Sequence, residues 1–370
     1  MKKFGFYLFL SVFAAVKVSA QTGGISTATP FLLIVPDARA GGMGDIGVAT
    51  SADAFSLFHN PAKIAFSNRQ ILTGITYSPW LRNLTDDIFI GGGSYINRYS
   101  ENAAWGAEFR YFSLGQIDLT DNQGQSNGSI NPNELVATGS YSLRLSETFA
   151  MGVSLKYIRS NLAFNGTAGN VLQPINSFLV DISGYYQSRE ENYGNFDGKY
   201  RFGFNIANIG PKVSYTPGEE NFIPTNLKLG GGFDFILDDY NTISTTVEFT
   251  KLLVPTPQLD GSDQDKGFVD GIFSSFGDAP GGFSEELKEV TYAFGVEYLY
   301  NNAFALRTGY FHESEDKGNR QYYTLGGGFK TNALNIDLSY LINASDVNNP
   351  LENSLRFSLS FDLGQIYEEY

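Results

Sequence analysis

From Arg69 onward, hydrophobic and polar residues alternate in segments of about ten residues, separated by turn residues. Near the end of the chain Leu355, Phe357, Leu359 and Phe361 fall on one face, and Ser354, Arg356, Ser358, Ser360 and Asp362 on the other. Fourteen such segments between Arg69 and Asp362 predict an all-β chain of antiparallel strands. A soluble sandwich would alternate in the same way, so three further features decide for a transmembrane barrel. Ten residues tilted by about 40° span about 25 Å, the height of an outer-membrane apolar band. The strand count is even. Connections after even-numbered strands are short, as at Asn301 and Asn302, whereas those after odd-numbered strands are long, as from Leu114 to Asn133 and from Leu252 to Val290. The connection from Ser188 to Gly198 is too long for this rule, and the sequence offers no reason.

The amino-terminal region reads differently. Lys2 and Lys3 precede an apolar run from Phe4 to Val16, and Val18, Ser19 and Ala20 form a small-residue cleavage site, so residues 1–20 are expected to be a signal peptide. The run is too short for the roughly 20 residues of a transmembrane helix. Residues 21–68 lack alternation and are expected to form a plug or hatch inside a barrel of residues 69–362, with residues 363–370 as a tail. Ala52 to Phe58 can form a helical turn, stopped by Asn60 and Pro61. Gly42, Gly44 and Gly47 match GxGxxG, but Pro36 interrupts the preceding apolar run and no long helix follows, so a dinucleotide site is rejected. The triplets Gly91 to Gly93, Gly230 to Gly232 and Gly326 to Gly328 lie within strands and are expected to make room for the hatch, with Gly231 taken as a contact.

Composition and charge sharpen this picture. Aromatic residues make up 15% of the chain and charged residues 17%, with 41 glycines, a strand-and-turn profile. The formal charge of -14 excludes nucleic acid as a partner, and the absence of cysteine excludes disulfides and thiolate metal sites. His59 and His312 are the only histidines and no GxSxG elbow occurs. Catalytic, metal and cofactor sites are therefore not expected; a hydrolase would need a serine beside His312. Alternation turns Glu108, Asp181, Asp234, Glu248 and Asp337 inward together with Arg110, Lys156, Lys228 and Arg356, predicting a lumen network of paired charges. The connection 252–290 carries Ile272, Phe273, Phe276 and Phe283 and a helix start at Ser284, Glu285 and Glu286. These apolar residues either pack on the barrel's own mouth or form a docking surface for another protein.

Several stretches resemble the PorV family of the type IX secretion system, relatives of FadL-type fatty-acid transporters. They are Phe31 to Thr50, Asn60 to Phe66, Asn208 to Tyr215, Pro224 to Gly232, Gly271 to Leu287 and Leu351 to Phe361. The PDARAGGMGD string contains Pro36, Asp37, Arg39, Gly41, Gly42, Gly44 and Asp45, and the NPAK string begins at Asn60 and Pro61; these are the plug motifs. The resemblance implies a fourteen-stranded outer-membrane barrel with a plug, acting without catalysis or cofactor. It implies as partners the large outer-membrane translocon barrel, secreted cargo with a C-terminal signal domain, a surface attachment complex with a sortase-like protease, and the lipid and lipopolysaccharide bilayer. The competing expectation is a FadL-like transporter of hydrophobic small molecules. One departure from other outer-membrane barrels is the stretch after Phe361, which leaves open whether Tyr370 replaces it as the terminal aromatic.

Overall fold

The computed structural model describes residues 24–80, 87–120, 123–162, 172–345 and 354–367. The expected signal peptide and Tyr370 lie outside these residues. Seven strands form the first half of the wall: β1 (Arg69–Pro79), β2 (Ile88–Arg98), β3 (Ala103–Leu114), β4 (Asn133–Arg144), β5 (Phe149–Asn161), β6 (Ile175–Gln187) and β7 (Asp197–Ile209). Seven more complete it: β8 (Asn226–Ile236), β9 (Asn241–Leu252), β10 (Val290–Tyr300), β11 (Phe304–His312), β12 (Gln321–Lys330), β13 (Leu334–Asn343) and β14 (Leu355–Ile366). Each pairs antiparallel with its chain neighbours. β7 pairs β8 from Asp197↔Ile236 to Ala207↔Asn226, and β14 returns to β1 with Thr73↔Phe361 and Tyr77↔Phe357. The sheet is thus a closed cylinder without free edges, and every strand is bonded on both sides.

Side-chain burial inverts that of a soluble protein. Along β14 the polar Arg356, Ser358, Ser360 and Asp362 are buried, while Phe357 and Phe361 are exposed. On β9 Thr246 and Glu248 are buried and Phe249 exposed, and on β11 Ala305 and Arg307 are buried while Phe304 and Leu306 are exposed. Apolar residues outside suit a wall whose outer solvent is hydrocarbon; inside, these polar rows share the lumen with an apolar cluster at the long-loop end, where Ile90, Val136, Ile158 and Leu179 pack with Phe31 and Leu32.

The strand ends explain two features that the pattern alone left open. Between β6 and β7, Glu191 and Asn192 fold back onto Gly198 and Asp197, so the hairpin continues past the wall, with Tyr193 stacked on Phe196 and both rings against Phe233. The excess length is strand, not loop. β14 also runs four residues beyond its expected end at Asp362, and Tyr367 follows it, its hydroxyl donating to the Arg98 carbonyl at 2.8 Å with the Arg98 guanidinium over its ring. Most of the expected tail before residue 368 is therefore barrel. β7 carries a bulge between Ile206 and Ile209, made possible by Asn208 at φ 61°.

Two of the long connections carry hairpins, Ile117–Thr120 with Ser126–Ile130 and Val213–Thr216 with Glu219–Asn221. The longest, residues 253–289, carries α2 (Phe268–Ser274) and α3 (Phe283–Lys288). Residues 24–68 precede β1 and occupy the lumen. They contain a short helix, α1 (Ala38–Gly41), which Asp37 caps by accepting from the Ala40 N–H, and 3-10 turns at Pro30–Leu33, Ser56–Phe58 and Pro61–Phe66.

Candidate functional site

The lumen segment runs from one mouth of the barrel to the other. At the long-loop end Gly24 lies against the Lys317 carbonyl and the Ala28 N–H donates to the Phe222 carbonyl. At the short-turn end Arg69 reaches the Asn332 carbonyl. Between them the segment is tied to nine strands. Thr76 on β1 donates to the Pro36 carbonyl, Ser94 on β2 to Ala54, and Ser142 on β4 to Ala62. Asn60 donates to Gly184 on β6, and Asn205 on β7 to the His59 carbonyl. The Glu248 carboxylate on β9 accepts from the Gly47 and Val48 N–H groups, both at 2.8 Å. The Gly44 N–H donates to Thr324 on β12 and the Ala38 N–H to Ser358 on β14. Arg39 bridges Glu297 on β10 and its own neighbour Asp53, at 2.9 and 2.8 Å.

Most of the charge in this interior is paired. Asp45 holds Arg356 in an ion pair and accepts from the Tyr322 hydroxyl at 2.6 Å. Arg307 bonds Glu297 and Asp337, both at 2.6 Å, Lys156 bonds Asp181 at 2.6 Å, Arg201 bonds Asp234 at 2.7 Å, and Lys228 bonds Glu248 at 3.2 Å. Buried charges are tolerated only with such partners. Lys63, fully buried, donates to the Gly47 carbonyl and Thr50 hydroxyl at 2.9 Å each.

The glycines of the plug motif work by close approach. Gly41 sits beneath Arg356 and Ser339, Gly42 against the Gly326 Cα, and Gly47 against the His59 ring; Gly44, at φ 75°, lies on the Tyr310 backbone. Each is closed in by those neighbours, and Pro61 opens the third 3-10 turn. The triplet expectation needs one correction: Gly230 meets Val48 and Ala49, whereas Gly231 points out of the barrel toward the Phe202 ring. A one-residue step along a strand changes the face.

His59 Nε2 shares a 2.6 Å hydrogen bond with Asp37, and His312 contacts Tyr310. Among the described residues no serine hydroxyl is hydrogen-bonded to either imidazole, and no cluster of three or more His, Asp or Glu is placed to hold a metal.

The connection 253–289 has two faces. Its inner face is fixed. Lys251 bonds Glu286 and Glu289 at 3.0 and 2.9 Å, Lys317 bonds Glu285 and Glu289 at 2.7 and 3.1 Å, and Gly271 packs on Phe222 and Pro255. Burial opposes the Lys317 charge, but the bonds to Glu285 and Glu289 outweigh it and hold its pKa above the ordinary lysine value. A raised lysine pKa keeps its stabilisation fully present below that ordinary value and loses it only as pH climbs past the folded value, so this tether is constant across neutral pH. The outer face carries Val269 and Phe273 four apart on α2, Phe283 and Leu287 four apart on α3, and Phe276 between them, with Phe273 73% and Phe283 76% exposed. Ile272 is half-buried and stands outside this set. We expect Glu289→Leu, which removes the acceptor of both lysines and of Thr256, to cost the loop about 2 kcal/mol or more. Limited proteolysis should then cut within 253–289 while the barrel stays intact.

The sequence profile described as type IX secretion system protein PorV matches residues 17–259, well over half of the chain. The chain belongs to the PorV family. Among solved structures, the PorV-family barrel is similar to the toluene transporter TodX of Pseudomonas putida, with a TM-score of 0.52, 12% identity, and 90% of this chain and 99% of that one covered. It is also similar to the toluene transporter TbuX of Ralstonia pickettii, with a TM-score of 0.50, 11% identity, and 88% and 97% covered. A FadL homologue of Pseudomonas aeruginosa matches with a TM-score of 0.45, 11% identity, and 92% and 99% covered. No curated protein matches the sequence. The TodX and TbuX likenesses establish the barrel fold, which with the family places this PorV-family chain in the outer membrane.

Sequence reasoning missed several working residues of this PorV-family site. Glu297, Arg307 and Arg201 follow from alternation once the register of β7, β10 and β11 is known. Lys63 and His59 lie outside any strand and carried no periodic signal. Val269 and Leu287 were legible only as the helical partners of Phe273 and Phe283.

Proposed function

We propose that this PorV-family barrel works without catalysis as the protein-docking component of type IX secretion. Its long connections face outward and both ends of the barrel face the periplasm. In this reading it associates with the large translocon barrel, receives the C-terminal signal domain of emerging cargo, and passes cargo to a surface attachment complex with a sortase-like protease. Support comes chiefly from the outer face of 253–289: Val269, Phe273, Phe276, Phe283 and Leu287 are exposed on a loop whose other face is locked by ion pairs. Such a surface is rigid before binding, so little ordering entropy opposes association. The filled lumen agrees with it, since a protein cannot pass through an interior bonded to nine strands.

The test is Phe273→Ser, Phe276→Ser and Phe283→Ser together. Each exposed ring that becomes buried contributes about 2 kcal/mol, so recovery of the translocon barrel and cargo with the detergent-extracted protein should fall at least about tenfold while barrel insertion is unchanged. Undiminished recovery would remove this face from the docking reading.

A second reading has one observation in its favour. A cavity of about 420 Å³ opens at the long-loop end, lined by Leu33, Ile34, Trp80, Tyr292 and Phe311 and by paired charges such as Arg356. It has the size for a hydrophobic small molecule, as a FadL-like transporter would need. Lipid recovered in stoichiometric amount with the purified protein, and no partner protein, would favour it.

A further inference from the structure

The carboxylates around the apolar face are distributed unevenly with respect to their partners. Glu219 on the neighbouring hairpin, Asp265 and Asp270 beside α2, and Glu315 on the connection after β11 are all exposed. None of these four has a cation within ion-pair distance among the described residues. The cations of the same rim are already engaged: Lys288 with Asp316 at 2.5 Å, Arg320 with Glu313 at 2.7 Å, Lys266 with Asp278 at 3.1 Å, and Lys212 with Glu220 at 3.5 Å. The connections are close neighbours, because Lys212 donates to the Gln264 carbonyl and Lys317 bonds Glu285. The connections that carry and flank Val269, Phe273, Phe276, Phe283 and Leu287 therefore hold excess negative charge.

We propose that the protein surface docking here is apolar at its centre and basic at its rim. The inference rests on the docking reading above and adds the chemistry of the partner. A partner with an acidic rim would place like charges together at a surface where apolar contact expels water, which opposes docking. A partner carrying lysine and arginine would meet unpaired carboxylates without breaking an existing pair. Attraction would also speed encounter, and it would fade as salt shortens the screening length from about 10 Å at 0.1 M toward 3 Å at 1 M.

The test uses the full chain in its own cells, with the photo-crosslinking analogue p-benzoylphenylalanine in place of Phe276. The segment crosslinked on irradiation is identified by mass spectrometry, and the yield is compared with that of a chain also carrying Asp265→Lys and Asp270→Lys. We expect a partner segment whose surroundings carry an excess of lysine and arginine. The yield should fall about tenfold on charge reversal, and wild-type complexes extracted in detergent should lose a similar factor between about 0.05 and 0.5 M salt. A crosslinked surface that is acidic or uncharged, or a yield indifferent to both charge reversal and salt, would overturn the inference while leaving apolar docking in place. No crosslink at all, together with no effect of the serine substitutions, would overturn the docking reading itself.

Discussion

Gly309→Leu should prevent the barrel from assembling, whereas Gly139→Leu should leave it folded. A side chain at Gly309 would begin 2.2 Å from the Met43 carbonyl carbon and 2.3 Å from the Gly44 nitrogen. These are backbone atoms of a segment fixed before them at Ala38 by Ser358, and after them at Gly44 by Thr324 and at Asp45 by Arg356 and Tyr322. No rotamer relieves such a clash, so the lumen segment must leave its seat and expose the paired charges it serves. The expected cost is above about 4 kcal/mol, a large share of the stability of any domain. Gly139 lies on the outer face of β4 with nothing within 4 Å of an added Cβ, and leucine there would face lipid. The retained electrophoretic shift of unheated protein in mild detergent reports assembly. A folded Gly309→Leu barrel would show that the segment can be displaced cheaply.

Arg307→Ala is expected to produce the second largest loss. Arg307 lies between Glu297 and Asp337, at 2.6 Å from each, with all three side chains nearly buried. Removing the guanidinium leaves Asp337 without its cation and Glu297 with Arg39 alone. Deleting one member of a buried network costs about 3–5 kcal/mol, because the remaining charges stay desolvated. The thermal midpoint in detergent should drop, and Arg307→Lys should recover only part of it, since one ammonium cannot reproduce the two-sided guanidinium contact. A midpoint within 1 °C of wild type would mean that water enters and solvates the two carboxylates.

How far these features could be read in advance depended on whether they repeat. The cylinder was legible because Leu355, Phe357, Leu359 and Phe361 and their counterparts recur with period two, and because the long connections follow odd-numbered strands. The inward charges Glu248 and Asp337 followed from the same rule. The lumen segment has no period, so motif residues such as Asp37, Arg39 and Asp45 could be picked out but their bonds to His59, Glu297 and Arg356 could not: each pair joins positions far apart in sequence. The hairpin at 188–197 misled for a related reason. Its strand residues Glu191 and Asn192 are polar on both faces, since they stand beyond the apolar band, and alternation disappears where the second solvent ends.

The path of the lumen segment, from Gly24 at one mouth to Arg69 at the other, sets the order of assembly events. A chain lying along the axis of a ring can be laid in sideways only while the ring is open. The meeting of β14 with β1 is then the seam that shuts it in, and anything fused ahead of Gly24 must already stand at the far opening, or be slender enough to follow through the bore, when that seam zips.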